Sequence, residues 1–288
     1  HRDLHSFPTR RSSDLSINDC AVLNNGVELP WLGFGVFKVE DGDVLEQAVS
    51  TALQIGYRSI DTASLYKNER GVGKAMRASG IPREEIFLTT KVWNNDMRAQ
   101  RTLAAFEESL ERLGTDYVDL YLVHWPVPGF YKETWKAMED IYASGRARAI
   151  GVSNFTIHHL EDLLSDSEVV PAVNQIEFHP LLLQADLLAF CQSQAIQVEA
   201  WSPLMRGGII NHEVVQAIAN NHHKTTAQIV LRWDLQHRVV TIPKSIHANR
   251  VAENADIFDF TLSEAEMKAL DALDAGERIG PDPDNFNF

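Results

Sequence analysis

Only two cysteines occur in 288 residues, Cys20 and Cys191, and they lie far apart in the chain. That scarcity argues against a disulfide framework or a thiolate metal cluster and suits a reducing compartment, the cytoplasm being the expectation. Positive charge is scarce too: 26 Lys and Arg stand against 40 Asp and Glu, for a formal charge of −14. A surface of that sign repels nucleic-acid phosphates and anionic lipid, so neither partner is expected and any polyanion site must be local. Long apolar runs are missing; stretches such as Val118–Val123 fall far short of the about 20 residues that cross a bilayer. Glycine-rich dinucleotide loops are missing as well. Gly33-Phe34-Gly35 and Gly71-Val72-Gly73 both lack the third glycine of Gly-x-Gly-x-x-Gly, which argues against a Rossmann site.

Metal and serine chemistry also lack their signatures. His158-His159 and His222-His223 are adjacent pairs, expected on a helix to point apart rather than share a metal as i, i+4 pairs do. His212-Glu213 has no second histidine at zinc-protease spacing, and Ser109, Ser153 and Ser202 sit in no Gly-x-Ser-x-Gly elbow. No metal is expected.

What is present is enough apolar sequence, 44% of residues, to bury a large core. Residues 1–19 are set apart as a non-native or disordered extension. Within them residues 5–15, basic and serine-rich without the apolar centre of a signal peptide, resemble a translated sequencing adapter joined to a gene. Residues 20–288 read as one domain with a short polar tail from 276 onward. Asn24-Asn25-Gly26 between two short apolar stretches signals a β-hairpin. Beyond it, strand candidates end near Gly35, Asp61, Lys91, His124, Ser153, Glu177, Ser202 and Lys244, alternating with amphipathic segments. Helices are expected over 98–113, with Leu103, Phe106, Leu110 and Leu113 on one face, and over 131–144, 226–236 and 249–257. Eight strand-then-helix units give a (β/α)₈ TIM barrel whose bottom the hairpin closes; a doubly wound open sheet is the alternative.

In such a barrel, polar residues at the C-terminal ends of strands converge on one mouth. Asp61, Lys91 and His124 hold those positions, and Tyr66 lies in the loop after Asp61. A phenol is a poor acid at neutral pH, but a neighbouring ammonium lowers its pKa. Lys91 is expected to do this for Tyr66, with Asp61 holding Lys91 charged and His124 orienting a carbonyl oxygen. Asp61-Thr62-Ala63 with Tyr66, Lys91-Val92-Trp93 and His124-Trp125-Pro126 resemble the signature blocks of the aldo-keto reductase family, a likeness that spans about residues 20 to 274. The resemblance implies a catalytic tetrad in which Tyr66 gives a proton and a nicotinamide gives a hydride to a carbonyl carbon.

The same resemblance extends to a cofactor segment, Ile242-Pro243-Lys244-Ser245 followed by Arg250, Glu253 and Asn254. It implies NADPH, with Lys244, Ser245 and Arg250 on the 2′-phosphate and Glu253 and Asn254 at the adenine. Ser153, Asn154 and Gln175 match positions that bind the carboxamide, and Trp201, before Ser202-Pro203-Leu204, the ring that stacks on the nicotinamide. Arg206 and Gly207 are expected near the pyrophosphate. Phe37, Trp93, Trp125 and Phe130 are expected to ring the substrate pocket. The short segment after Leu204 and the short tail suggest an open pocket for small carbonyls such as methylglyoxal or 2,5-diketo-D-gluconate, in a monomer. Two other readings stay open: a non-catalytic NADPH sensor, and a metal-dependent barrel enzyme using Asp61, His124 and Glu177.

Overall fold

The alternation of apolar strands and amphipathic helices builds, in the computed structural model, which describes residues 15–288, an eight-stranded parallel sheet behind a hairpin. β1 (Cys20–Val22) and β2 (Glu28–Pro30) pair antiparallel around the Asn-Asn-Gly turn. The sheet then runs in chain order: β3 (Phe34–Gly35), β4 (Ser59–Asp61), β5 (Phe87–Val92), β6 (Val118–Val123), β7 (Ala147–Ser153), β8 (Val173–Glu177), β9 (Gln197–Trp201) and β10 (Val240–Thr241). Backbone bonds close the ends on each other. Leu32 bridges Thr241 in the parallel sense, Gly33 N donates to Thr241 O at 2.9 Å, and Gly35 N to Pro243 O at 3.2 Å. The last strand is shorter than its expected end at Lys244, because Pro243 has no N–H to continue the ladder. The result is the TIM barrel anticipated, with β5 and β6 buried along their whole length, as a sheet covered on both faces requires.

The helices around it are α1 (Asp43–Ile55), α2 (Glu69–Ala78), α3 (Asn94–Arg98), α4 (Thr102–Leu113), α5 (Tyr131–Ala143), α6 (Ile157–Leu164), α7 (Ala185–Ser193), α8 (Glu213–His222), α9 (Thr226–Gln236), α10 (Ala248–Ala255) and α11 (Glu264–Asp271). One expected helix is two. The segment 98–113 breaks at Gln100, whose φ of 54° is left-handed and incompatible with a continuous right-handed helix. Phe106, Leu110 and Leu113 of α4 are buried, whereas Leu103 is 49% exposed and lies off that face. α9 begins where expected, held by a reciprocal cap between Thr225 and Gln228.

The hairpin sits at the N-terminal end of the barrel. Leu23 and Leu29 are buried there, while Asn24 Nδ2 donates to Pro171 O (3.1 Å) and Asn25 Nδ2 to Arg148 O (2.9 Å), beside the starts of β8 and β7. The adapter-like segment lies almost wholly outside the described residues. Residues 15–19, counted with the extension, are ordered: Leu15 and Ile17 pack on the core and Asp19 N donates to Ser16 O. With one end of the barrel plugged, the opposite end carries the polar strand termini.

Candidate active site

β4 delivers Asp61 and β5 delivers Lys91 to the interior, and the two meet there. Lys91 Nζ donates to Asp61 Oδ1 (2.7 Å), Asp61 Oδ2 (2.9 Å) and the Thr62 carbonyl (2.9 Å), with both side chains buried. Burial works against the Lys91 charge, but Asp61 and Tyr66 more than offset it and hold the ammonium above the usual lysine range. Tyr66 closes a one-turn 3₁₀ segment (Ser64–Tyr66) pinned to β5 by a bond from Ser64 Oγ to Lys91 O at 3.0 Å. Its ring centroid lies 5.1 Å from Lys91 Nζ, 5.8 Å from the His124 ring and 5.0 Å from Phe37. The four expected residues therefore form one cluster.

One electrostatic expectation is corrected. Burial pushes the Tyr66 phenol up, Lys91 pulls it down and Asp61 pushes it up again, so the net direction is upward. The Asp61 carboxylate compensates much of the ammonium's field, and the phenol keeps its proton. His124 is driven well below the usual histidine range by burial and by Lys91. Its imidazole is neutral at physiological pH, and its buried Nδ1 has no hydrogen-bond partner among the described residues.

The expected cofactor residues fall into two groups at the same mouth. In the first, Ser153 Oγ donates to Gln175 O (2.8 Å), and Asn154, at φ 65°, donates from Nδ2 to His124 O (3.0 Å) while accepting from Trp201 Nε1 (2.8 Å). Beyond Trp201, Ser202, Arg206 and Gly207 all take positive φ (50°, 54° and 95°) around Leu204. That backbone turns sharply and leaves Arg206 exposed. In the second group, Lys244 and Ser245 follow β10, and Arg250, Glu253 and Asn254 lie on α10. Ser245 Oγ accepts from His247 N at 3.1 Å, and Asn254 is buried. Lys244 and Arg250 are exposed, and among the described residues neither forms an ion pair; the helix-face pair between Arg250 and Glu253 is not made.

Among the aromatics, Trp93 stands edge-on to His124 at 5.2 Å and Trp125 is buried beside the mouth. Phe130, the N-cap residue of α5 after the His124 loop, is partly buried and packs on the core. The open pocket is also corrected. The tail crosses the mouth, starting where Ile279 N and Gly280 N donate to Glu177 (2.6 and 3.1 Å) and ending where Asn94 Nδ2 and Arg98 donate to Phe288 O (3.2 and 2.8 Å). Phe288 stacks on Trp93 at 5.8 Å, and Phe286 meets Trp125 at 5.2 Å. At about 3.3 Å per extended residue, even a short tail reaches across a barrel end. The adjacent histidines likewise do not diverge: the rings of His158 and His159 lie 3.9 Å apart, and their Nε2 atoms approach Asp284 Oδ1 of the tail at 2.7 and 3.6 Å. Removing residues 281–288 should raise activity on bulky aromatic aldehydes relative to methylglyoxal by about tenfold, a range typical of pocket-size discrimination; a ratio unchanged in steady-state assays would show that the tail does not gate the pocket.

Two features were missed from the sequence. Glu199 lies buried on β9 inside the barrel, and its one signal was a carboxylate between Val198 and Ala200 in an apolar strand. Phe286 and Phe288 alternate with Asn285 and Asn287, a pattern too short to place.

Comparison with known proteins adds to this geometry. The profile of the Aldo/keto reductase family matches residues 32–275. Glyoxal reductase of Bacillus subtilis is 58% identical over 273 residues, 95% of this chain and 99% of that protein. Methylglyoxal reductase DkgA of Escherichia coli is 47% identical over 268 residues, covering 92% and 96%. A point variant of Gox0644 solved in complex with NADPH superimposes with a TM-score of 0.87 at 43% identity, covering 93% of this chain and 98% of the other. Matched along most of its length by the family profile and by relatives at these identities, the chain belongs to the aldo/keto reductase family.

Proposed function

We propose that this chain reduces small dicarbonyls and keto-sugars, methylglyoxal and glyoxal foremost, with NADPH as the reductant. The observation that carries the reading is the buried Asp61–Lys91 pair beneath the protonated Tyr66 phenol, with the neutral His124 ring beside it. A carbonyl oxygen seated between Tyr66 and His124 would meet a phenol that still holds its proton and an imidazole able to donate without carrying charge. As charge develops on that oxygen, the Lys91 ammonium stabilises the phenolate left when Tyr66 gives up its proton, and Asp61 keeps Lys91 in place. NADPH, when bound, supplies the hydride to the carbonyl carbon, so that carbonyl, NADPH and a proton become alcohol and NADP⁺.

The residues suit that cofactor. Lys244 and Arg250 are exposed cations without a carboxylate partner among the described residues, in a chain of net charge −14, beside the N-terminus of α10, where backbone N–H groups also favour an anion. Lys244, Ser245 and Arg250 would hold the 2′-phosphate, Glu253 and Asn254 the adenine, Arg206 and Gly207 the pyrophosphate. Ser153, Asn154 and Gln175 would hold the carboxamide, and Trp201 would offer its face to the nicotinamide. Phe37, Trp93 and Trp125 form the apolar wall, which Phe286 and Phe288 narrow to suit small substrates. The names of the relatives from B. subtilis and E. coli agree with this substrate class. We read the protein as a cytoplasmic monomer; both thiols are free and its large exposed apolar side chains, among them Val22, Val44, Val170 and Ile246, are spread over separate elements.

The test is NADPH oxidation with methylglyoxal, glyoxal and 2,5-diketo-D-gluconate, repeated with NADH. Arg250→Ala should raise KM for NADPH about 10- to 100-fold, the worth of one charge-assisted hydrogen bond, and leave KM for NADH nearly unchanged. Equal use of NADH by the unaltered protein would remove Lys244 and Arg250 from the phosphate site.

A further inference from the structure

The barrel interior holds a carboxyl that the reaction described above does not use. Glu199 on β9 stands directly opposite Gln175 on β8 in the strand register. Gln175 Nε2 donates to Glu199 Oε2 at 2.7 Å and to Asp61 Oδ2 at 2.8 Å, so both hydrogens of one amide are committed to two carboxyl groups. Asp61 in turn accepts from Lys91. The second oxygen, Glu199 Oε1, is buried without a hydrogen-bond partner among the described residues.

We infer that Glu199 is a positioning residue: through Gln175 it fixes the Asp61 carboxylate against Lys91, and its own charge state sets how readily Tyr66 releases a proton. The inference rests on the reductase reading above. The groups facing Glu199 are Gln175 from β8, Asp61 from β4, Lys91 from β5 and Tyr66 from the turn after β4, while its partner in the register on β10, Val240, is apolar. Only Lys91 among these is a cation, and Asp61 already holds it through both oxygens. Two carboxylates sharing one ammonium in a dry interior do not both ionise readily. Burial first, then Asp61, push Glu199 up to about 8. Neutral, it accepts the Gln175 hydrogen bond without adding charge. Ionised, it places a second negative charge in the cluster, which raises the pKa of both Tyr66 and Lys91. A phenol made less acidic is a poorer proton donor.

The Gln175 geometry adds a second consequence. Its Nε2 hydrogens are both taken, and among the described residues its Oε1 accepts no hydrogen bond, so that oxygen is the atom left to meet an amide donor. Glu199 thereby fixes which end of the Gln175 amide faces the carboxamide position.

The experiment compares single-turnover reduction of methylglyoxal across pH 5.5 to 10 for the unaltered protein and Glu199→Gln, which keeps size and acceptor but cannot ionise. The unaltered protein should slow as pH rises through about 8, whereas in Glu199→Gln the descending limb should move up by about one unit or more, with a rate at pH 6.5 within about threefold of the original. Superimposable pH profiles would overturn the inference. A second readout needs no turnover: infrared difference titration of the unaltered protein should show a buried carboxylic acid losing its proton near pH 8. Loss of every protonated carboxyl signal by about pH 6 would overturn the inference even if Glu199→Gln failed to fold. If the carboxyl titrates near 8 but no carbonyl is reduced, it is the reductase reading that fails.

Discussion

Tyr66→Phe should lower kcat for methylglyoxal by about 10²- to 10⁴-fold, the usual worth of a positioned general acid, while NADPH binding and folding stay close to normal. The structure explains why the effect should be confined to the chemical step. Lys91 keeps its three acceptors, two from Asp61 and one from Thr62, when the phenolic oxygen is gone. The ring itself remains to pack against Phe37 at 5.0 Å and His124 at 5.8 Å. His124 cannot substitute efficiently, because burial and Lys91 hold its pKa well below the usual value and leave it no proton to spare at neutral pH. The check is a pair of measurements, kcat by NADPH oxidation and NADPH affinity by fluorescence quenching. A variant that turned over at the original rate would move proton donation to His124 or to water.

Lys91→Met should be the more damaging change, because it harms folding as well as chemistry. It strands the Asp61 carboxylate in the interior with the Gln175 amide as its one remaining side-chain donor among the described residues, and breaking a buried pair from one side costs about 3–5 kcal/mol. Because Asp61 and Tyr66 raise the Lys91 pKa above its unfolded value, the pair's stabilisation is complete below about pH 10.4 and is lost as pH rises through the folded value. Urea unfolding at pH 7 reads the loss. Adding Asp61→Leu should recover most of the lost stability and none of the activity. If Lys91→Met alone unfolded at the same urea concentration as the unaltered protein, the pair would have no structural weight.

The sequence made the mouth of the barrel legible because several strands carry a polar residue at or just past their ends. Asp61, His124, Ser153 and Glu177 punctuate apolar runs, and one-dimensional order is enough to say that they share a face. Contacts across the barrel leave no such trace. Gln175 reaches Asp61 over 114 residues and Glu199 over 24, distances that no periodicity encodes, so Glu199 read as an isolated charge. The sign of the Tyr66 shift was missed for a related reason. The proximity of Lys91 could be read from the motif, but the depth of burial that outweighs it depends on the closed barrel. Leu103 misled because an apolar residue at helical spacing fits a buried face and an exposed one alike. The tail was read by its length, when its path is set by Glu177, Asp284 and the indoles it lands on.

The seam of the barrel has a bearing on how the protein is made. It joins residues 31–35 to residues 241–243 through β3 and β10, each only two residues long. During synthesis, residues 31–35 wait for a partner until more than four-fifths of the chain has left the ribosome, and contacts so distant in sequence form slowly. Until then β3 and its neighbour β4 belong to an open sheet, with Asp61 and Lys91 on one growing half and Gln175 and Glu199 on the other. The chemistry of the site is therefore withheld from nascent fragments, and the short seam strands limit the exposed edge through which those fragments could pair with one another.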